Sequence, residues 1–492
     1  IEAYRKAATC HHSINAMVRL VKLLNDQDDD DERIRYMKAA AYANHPEGLY
    51  LYAQALQFGL YGIKPNIGKA NQFLQIACTL DHVDSLLQLG TNRLYGYGFS
   101  PNYFRARNCY QRAAELGNQN AKALLAQMTI EHKGTVESQE EAQTIINDLH
   151  NENNSAAVKS IYSMNHQDEF SDTKELISTL KEAGGEGYAP AYREVYKLLK
   201  EDKLCKALKY LKLSADEDCI VSMREYALEL EDDILNHDGN IIRANELAKD
   251  KKKKKKAKPL QEEIDEMMEY FKMAATSGDL EMVRKYNELL IFGPTSGNTT
   301  LKEKEKIRLL EEAIQKGNSY AMVLNAHHFN ESDPEKAARF MKNAAKQMDP
   351  FGMFGYAVYL LKGNGVEKDE DKALKYFDRS FEKGSTTDGQ TDLKQIFEEL
   401  VDDEDWDVVS SIAECGVNYS YPICFYYAYK AMIENKSKDT KLIGEYAKEA
   451  AFADSEVLYK REYAKMLNDG LYVQKDTKTA QLLNEFCDNQ ED

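Results

Sequence analysis

Small and apolar residues recur along this chain at helical spacing. A small residue is followed four positions later by Gly or a polar residue, and eight positions later by another small or apolar residue. Ala40, Asn44 and Gly48 show the pattern, as do Ala77, Asp81 and Ser85, then Ala113, Gly117 and Ala121, and Ala183, Gly187 and Ala191. Ala274, Gly278 and Met282 follow, then Ala313, Gly317 and Ala321, and Ala344, Met348 and Gly352. Weaker copies begin at Ala8, Asn147, Ser214, Ser380, Ile412 and Ala450, and Cys487 starts another; most neighbouring anchors lie 31 to 39 residues apart. A period of this length predicts a repeat architecture.

A Lys-Ala, Arg-Ala or similar step precedes the anchor by seven residues at Ala70, Ala106, Ala207, Ala337, Ala373 and Ala480. Seven residues are two helical turns, so both small residues of a unit face the same neighbour. The +4 Gly can take the left-handed conformation that ends a helix. Pro46, Pro190 and Pro350 fall just beyond it, where Pro suits the first turn of the next helix. Each unit therefore reads as helix A, a loop and helix B. The fullest copy runs from Gly352 to Gly384, with a Gly363-Asn364-Gly365-Val366 turn between its helices.

These residues resemble the Sel-one-like repeat (SLR) family, a relative of the tetratricopeptide repeats. Its pattern is matched by Leu89, Gly90, Gly96, Gly98, Arg105, Ala106, Tyr110, Ala113, Ala114 and Gly117, and again by Gly363, Gly365, Lys372, Ala373, Tyr376, Phe377 and Gly384. Plain tetratricopeptide repeats are the alternative, but they hold their period more strictly and usually lack the Gly-x-Gly turn. The resemblance implies an all-α fold, a right-handed αα superhelical solenoid of about a dozen helix-turn-helix repeats over residues 1–492, with A helices on the concave face. Segments 129–182, 200–260 and 385–440 depart most from the pattern.

Composition agrees with an ordered helical chain: 43% apolar and 30% charged, with only 9 Pro and 26 Gly in 492 residues. No stretch approaches the ~20 apolar residues of a membrane-spanning helix. The chain opens with Ile1 and enters a helical pattern directly, which is expected of a fragment of a longer protein. Eight cysteines lack CxxC spacing, which favours a reducing compartment, the cytoplasm first, with the nucleus or endoplasmic-reticulum lumen as alternatives. Eight lysines between Lys249 and Lys258 form a basic run inside an insertion around 231–262, and removing these eight from the net charge of −18 leaves −26. So acidic a body argues against a nucleic-acid groove and for basic or neutral partner segments. The run itself is expected to be a solvated loop, with import signalling or contact with anionic surfaces as its functional alternatives.

Candidate chemistry is sparse. Gly96-x-Gly98, Gly363-x-Gly365 and the segment from Phe292 to Gly297 follow no predicted strand and carry no Gly-Lys-Ser/Thr, so they read as turns rather than phosphate loops. Cys10-His11-His12 and His327-His328 lack paired ligand spacing, and no metal, cofactor or catalytic residue is assigned. Asp402, Asp403, Glu404 and Asp405 precede the single tryptophan, Trp406; a helix N-terminus favouring acidic side chains accounts for them, with a ligand platform as the alternative. Most of the 31 tyrosines, among them Tyr95, Tyr110, Tyr356 and Tyr376, occupy positions expected to bury, leaving a minority for a binding groove.

The sequence thus predicts a non-enzymatic scaffold or adaptor that binds other proteins along the concave face of the array. Two alternatives come from the resemblance: the regulatory or docking array of a larger enzyme, such as a protein kinase, and an adaptor of a membrane quality-control ubiquitin ligase.

Overall fold

The computed structural model of the chain describes residues 1–24, 30–152, 155–237, 260–293, 303–387, 390–453 and 456–491. Among these residues the secondary structure is helical, with an isolated bridge between Thr387 and Asp392 and no strand. The chain divides into two units. One comprises Ile1–Leu89, Cys109–Gln127 and Gln139–Thr300; the other comprises Gly90–Asn108, Met128–Ser138 and Leu301–Asp492.

The first unit alternates A helices such as Pro46–Phe58, Pro190–Leu199 and Leu280–Phe292 with B helices such as Asp30–Tyr42, Ile67–Thr79 and Leu204–Asp216. In the second unit the A helices are Ser319–Phe329, Pro350–Lys362, Leu393–Asp402, Pro422–Glu434 and Val457–Asp469. They alternate with the B helices Glu303–Gln315, Pro334–Lys346, Glu370–Glu382, Trp406–Asn418, Thr440–Ala453 and Thr477–Glu491.

One turn recurs between B helices and the A helices that follow them, and it explains the anchor pattern. At Ala344 the N–H of Met348 donates to the Ala345 carbonyl (3.0 Å) and the N–H of Asp349 to the Ala344 carbonyl (3.2 Å). This is the paired bond set of a Schellman ending, and Met348 holds the left-handed position at φ 62. The same bonds recur from Asn44 and His45 to Ala41 and Ala40, from Gly117 and Asn118 to Ala114 and Ala113, and from Gly317 and Asn318 to Ile314 and Ala313.

The residue that closes the turn also opens the next helix. Asp349 accepts from the Gly352 N–H at 2.9 Å, Asn118 from Ala121 at 2.8 Å, Asn318 from Ala321 at 3.0 Å and Asp279 from Met282 at 3.1 Å. A cap of this type contributes about 1 kcal/mol. The anchor, the left-handed residue, the cap and the +8 residue therefore form one module, and the +8 residue is where the new helix meets the old. Ala40, Ala77, Ala113, Ala183, Ser214, Ala274 and Ala344 are all buried, as are their +8 partners. Where both positions are serine, the Ser222 hydroxyl lies 2.8 Å from that of Ser214.

B helices begin on a second set of caps. Asn66, Asp333, Asp369 and Asp476 accept from the N–H of the residue just before the Ala of the Lys-Ala or related step. The alanines so placed, Ala70, Ala337, Ala373 and Ala480, are buried. Gly365, in the left-handed region at φ 63, lies against the backbone of Pro334, so any side chain there would collide with the preceding B helix.

Two anchors shift from the positions read in the sequence. At Ile412 the module is set four residues later: Ser420 is left-handed, the Tyr421 N–H bonds to the Gly416 carbonyl, and a Cβ on Gly416 would collide with Cys424. Near Asn147 the capping residue is Ser155, which puts the anchor position at His150; its ring stacks on Tyr162 with centroids 3.8 Å apart, replacing the close approach of small residues. Of the expected insertion, residues 231–237 complete the helix Ile220–His237 and 260–262 open the helix Leu260–Thr276, while Lys249–Lys258 lie outside the described residues.

Candidate protein-binding surface

Successive A helices are tied side by side by polar bonds between residues about one repeat apart. In the first unit Arg193 donates to Glu225 (2.5 and 2.7 Å), while the Tyr196 hydroxyl and Lys200 both reach Glu229 (each 2.6 Å). In the second unit Tyr359 donates to Asn330 at 2.7 Å and Lys362 pairs with Glu399 at 2.5 Å. The lysine beside Glu399 holds that carboxyl below the usual range. Glu462 collects three neighbours from the preceding A helix: Tyr429 at 2.6 Å, Tyr426 at 3.2 Å and Lys430 at 3.3 Å. Burial and this carboxylate push the Tyr429 hydroxyl far up. These bonds hold neighbouring A helices side by side along this face.

On this face, in the second unit, a cup of about 310 Å³ is lined by Trp406, Tyr426, Tyr427, Tyr459, Val401 and Leu458, with Lys394, Glu398, Lys430 and Glu456 around it. Tyr426 stacks on Tyr459 at 4.3 Å and Tyr427 on Phe397 at 4.3 Å, so the aromatic walls are held before any ligand arrives. Tyr427 is 9% exposed, and its hydroxyl is pushed up to about 12 by burial and by Glu398. Leu458 is 51% exposed.

The sequence candidates fall as follows. Trp406 is the first residue of its helix and half-buried, with Asp405 as the cap accepting from Val408. Asp402 ends the preceding helix, and Asp403 and Glu404 form the turn between, so only the last of the four acidic residues serves the helix start. Tyr110 and Tyr356 are buried and Tyr376 is partly so, but Tyr95 is 46% exposed, a correction to its expected burial; it stacks at 5.8 Å on Tyr97, the residue that does bury.

Cys10, His11 and His12 close the first helix and the turn after it, on the surface, whereas His327 and His328 sit in the last turn of Ser319–Phe329. No group able to hold a metal ion occurs among the described residues. All eight cysteines carry free thiols. Phe292 and Gly293 end a helix; residues 294–297 lie outside the described residues. Among the described residues no helix is long and apolar enough to cross a membrane.

Sequence reasoning missed one feature of the second unit: the A/B loops within Gly90–Asn108 and Met128–Ser138 belong to it. Buried Asn102 donates to the Ser420 carbonyl at 3.0 Å, and Arg93 to that of Tyr419 at 3.2 Å. Arg105 pairs with Glu449 at 3.3 Å and Phe104 stacks on Phe452 at 6.4 Å. Burial raises the Glu449 carboxyl against the opposing pull of Arg105.

The family model described as the Sel1 repeat matches residues 46–82, 83–118, 331–347 and 350–385. This chain carries Sel1 repeats. The matches at 46, 83 and 350 begin at or just ahead of an A helix and end in or just after a B helix, so the Sel1 unit and the helix pair coincide. Sel1-repeat proteins generally mediate protein–protein interaction as scaffolds and are typically non-catalytic.

Among solved structures, a protective antigen of uropathogenic Escherichia coli strains displaying an SLR fold aligns at 14% identity and a TM-score of 0.30, covering 100% of this chain and 90% of that one. A Sel1 repeat protein from Oxalobacter formigenes aligns at 19% identity and a TM-score of 0.33, covering 44% of this chain and 94% of that one. No curated protein matches the chain.

Proposed function

We propose that this chain is a scaffold or adaptor whose A-helix face docks partner proteins through basic or neutral segments. The observation that carries the reading is the cross-linked A-helix face of the second unit, with its preformed aromatic cup. Rigid aromatic side chains in a partly desolvated pocket are the usual anchors of a protein interface. The net charge of −18 favours basic partners, by steering encounter as much as by adding affinity. Eight free thiols suit a reducing compartment, and we assign the chain to the cytoplasm on that ground.

Affinity capture with the intact chain tests this reading when paired with two charge changes. Glu398→Lys lies on the A-helix face and Lys38→Glu on the exposed side of the B helix Asp30–Tyr42. Loss of a defined partner with the first change and its retention with the second is the expected result. Loss with the second alone would remove the A-helix face from the reading.

A further inference from the structure

The cup has a charge environment that its aromatic lining does not require. Lys430 is answered by Glu462, and Glu456 has a partner of its own, so Lys394 and Glu398 remain as the opposed charges of the lining. Val401 and Trp406 both line the cup and bracket the turn Asp402-Asp403-Glu404-Asp405. Asp405 serves as a helix cap, while Asp402, Asp403 and Glu404 are exposed, and no salt bridge answers them among the described residues. The hydroxyl of Tyr427 has no protein hydrogen-bond partner among the described residues and reaches solvent, although most of its ring is buried in the cup wall.

We infer that this cup is a docking site for a basic segment of a partner protein, which lays an arginine or lysine side chain against Trp406, Tyr427 and Tyr459. The inference rests on the reading of the A-helix face as partner-binding. Aromatic faces attract a cation through the ring quadrupole, best of all at Trp, and more strongly once water is displaced. The acidic turn and Glu398 supply the charge complement, and the Tyr427 hydroxyl is a hydrogen-bonding group for the segment's backbone. An acidic segment would meet like charge, and an uncharged aromatic anchor would leave the acidic turn unused.

Trp406 is the single tryptophan of the chain, so its fluorescence reports on the cup directly. The experiment titrates the full chain with a labelled Gly/Ser peptide carrying spaced arginines, following both peptide anisotropy and Trp406 emission. Controls are the same peptide with glutamates for arginines and a Pro-rich peptide of equal length. The expected result is a saturable change in Trp406 emission with the arginine peptide alone. Glu398→Gln combined with Asp403→Asn should weaken binding roughly tenfold, the factor equivalent to about 1.4 kcal/mol.

Arginine-peptide binding that leaves Trp406 emission unchanged, and is indifferent to those substitutions, overturns the cup while the scaffold reading stands, since the peptide is then held elsewhere. Tighter binding of the Pro-rich peptide, with a change in Trp406 emission, overturns the basic partner but keeps the cup. Absence of binding by every peptide overturns the inference, and the capture experiment with Glu398→Lys then decides the scaffold reading by itself. A thermal melt of the double variant matching the parent shows that any loss of binding is not a loss of fold.

Discussion

Gly352 approaches Ala344 so closely that a Cβ added to it would lie 2.5 Å from the Cβ of Ala344. The two residues are the +8 and anchor positions of one repeat module, and the same near-collision recurs between Gly48 and Ala40, also at 2.5 Å. Helix pairs in this chain are spaced by what these stripes leave out. Ala344→Leu overpacks the contact and is expected to cost about 1–3 kcal/mol. Urea denaturation measures it; an unchanged midpoint for Ala344→Leu would show that the helices can separate without loss.

Asp349 closes the turn, caps the next helix and accepts from the Ser319 hydroxyl at 2.7 Å, all while buried. Burial raises its carboxyl above the ordinary range, outweighing the bonds from Gly352 and Ser319. A carboxyl raised on folding binds more protons folded than unfolded. Its favourable contribution is complete below the unfolded value of about 3.9 and is lost as pH rises through the folded value. Asp349→Asn keeps a capping oxygen without the titration. The variant should therefore gain on the parent between pH 4 and pH 7, as read by urea melts at both; a difference independent of pH would contradict the assignment.

Glu462 holds Tyr426, Tyr429 and Lys430 of the neighbouring A helix. Glu462→Ala leaves the buried Tyr429 hydroxyl without its acceptor, at an expected cost of about 1–3 kcal/mol. Part of that cost should disappear in a Tyr429→Phe background, and a double-mutant cycle gives the coupling. Strict additivity would mean that the link contributes nothing to the A-helix face.

Asn102 caps its own helix through the Arg105 N–H at 2.9 Å and donates to Ser420 at 3.0 Å. Asn102→Asp retains the cap and removes the donor. Amide hydrogen exchange in the turn Tyr419–Tyr421 and the adjoining start of Pro422–Glu434 should quicken in this variant. Exchange equal to the parent would show that the contact bears no load there.

Much of the fold was legible because the module is local. Anchor, left-handed residue and +8 partner lie within nine residues, and backbone geometry makes small residues necessary at such an approach. The cap five residues after the anchor, at Asn118, Asp279, Asn318 and Asp349, went unread because it is a mixed set of polar types and carries a weaker signal. The register failed near His150 because an imidazole stacked on Tyr162 takes the place of a small residue. It slipped near Gly416 because Ile412 continues the apolar stripe one turn earlier. Tyr95 was expected to bury, but it is the last residue of its helix, and in the turn that follows it is Tyr97 whose ring goes inward. The cup was half legible in the acidic run before Trp406, but Tyr427 and Tyr459 join it only through packing of separate helices. The bonds from Arg93 and Asn102 to Tyr419 and Ser420 span more than 300 residues, and no local pattern encodes them.

The most direct measurement of the central claim is hydrogen exchange of the intact chain with and without a captured partner. The account predicts protection on the A helices Leu393–Asp402, Pro422–Glu434 and Val457–Asp469, strongest around Trp406 and Tyr427. Protection confined to the B helices Glu370–Glu382 and Thr440–Ala453 would contradict it.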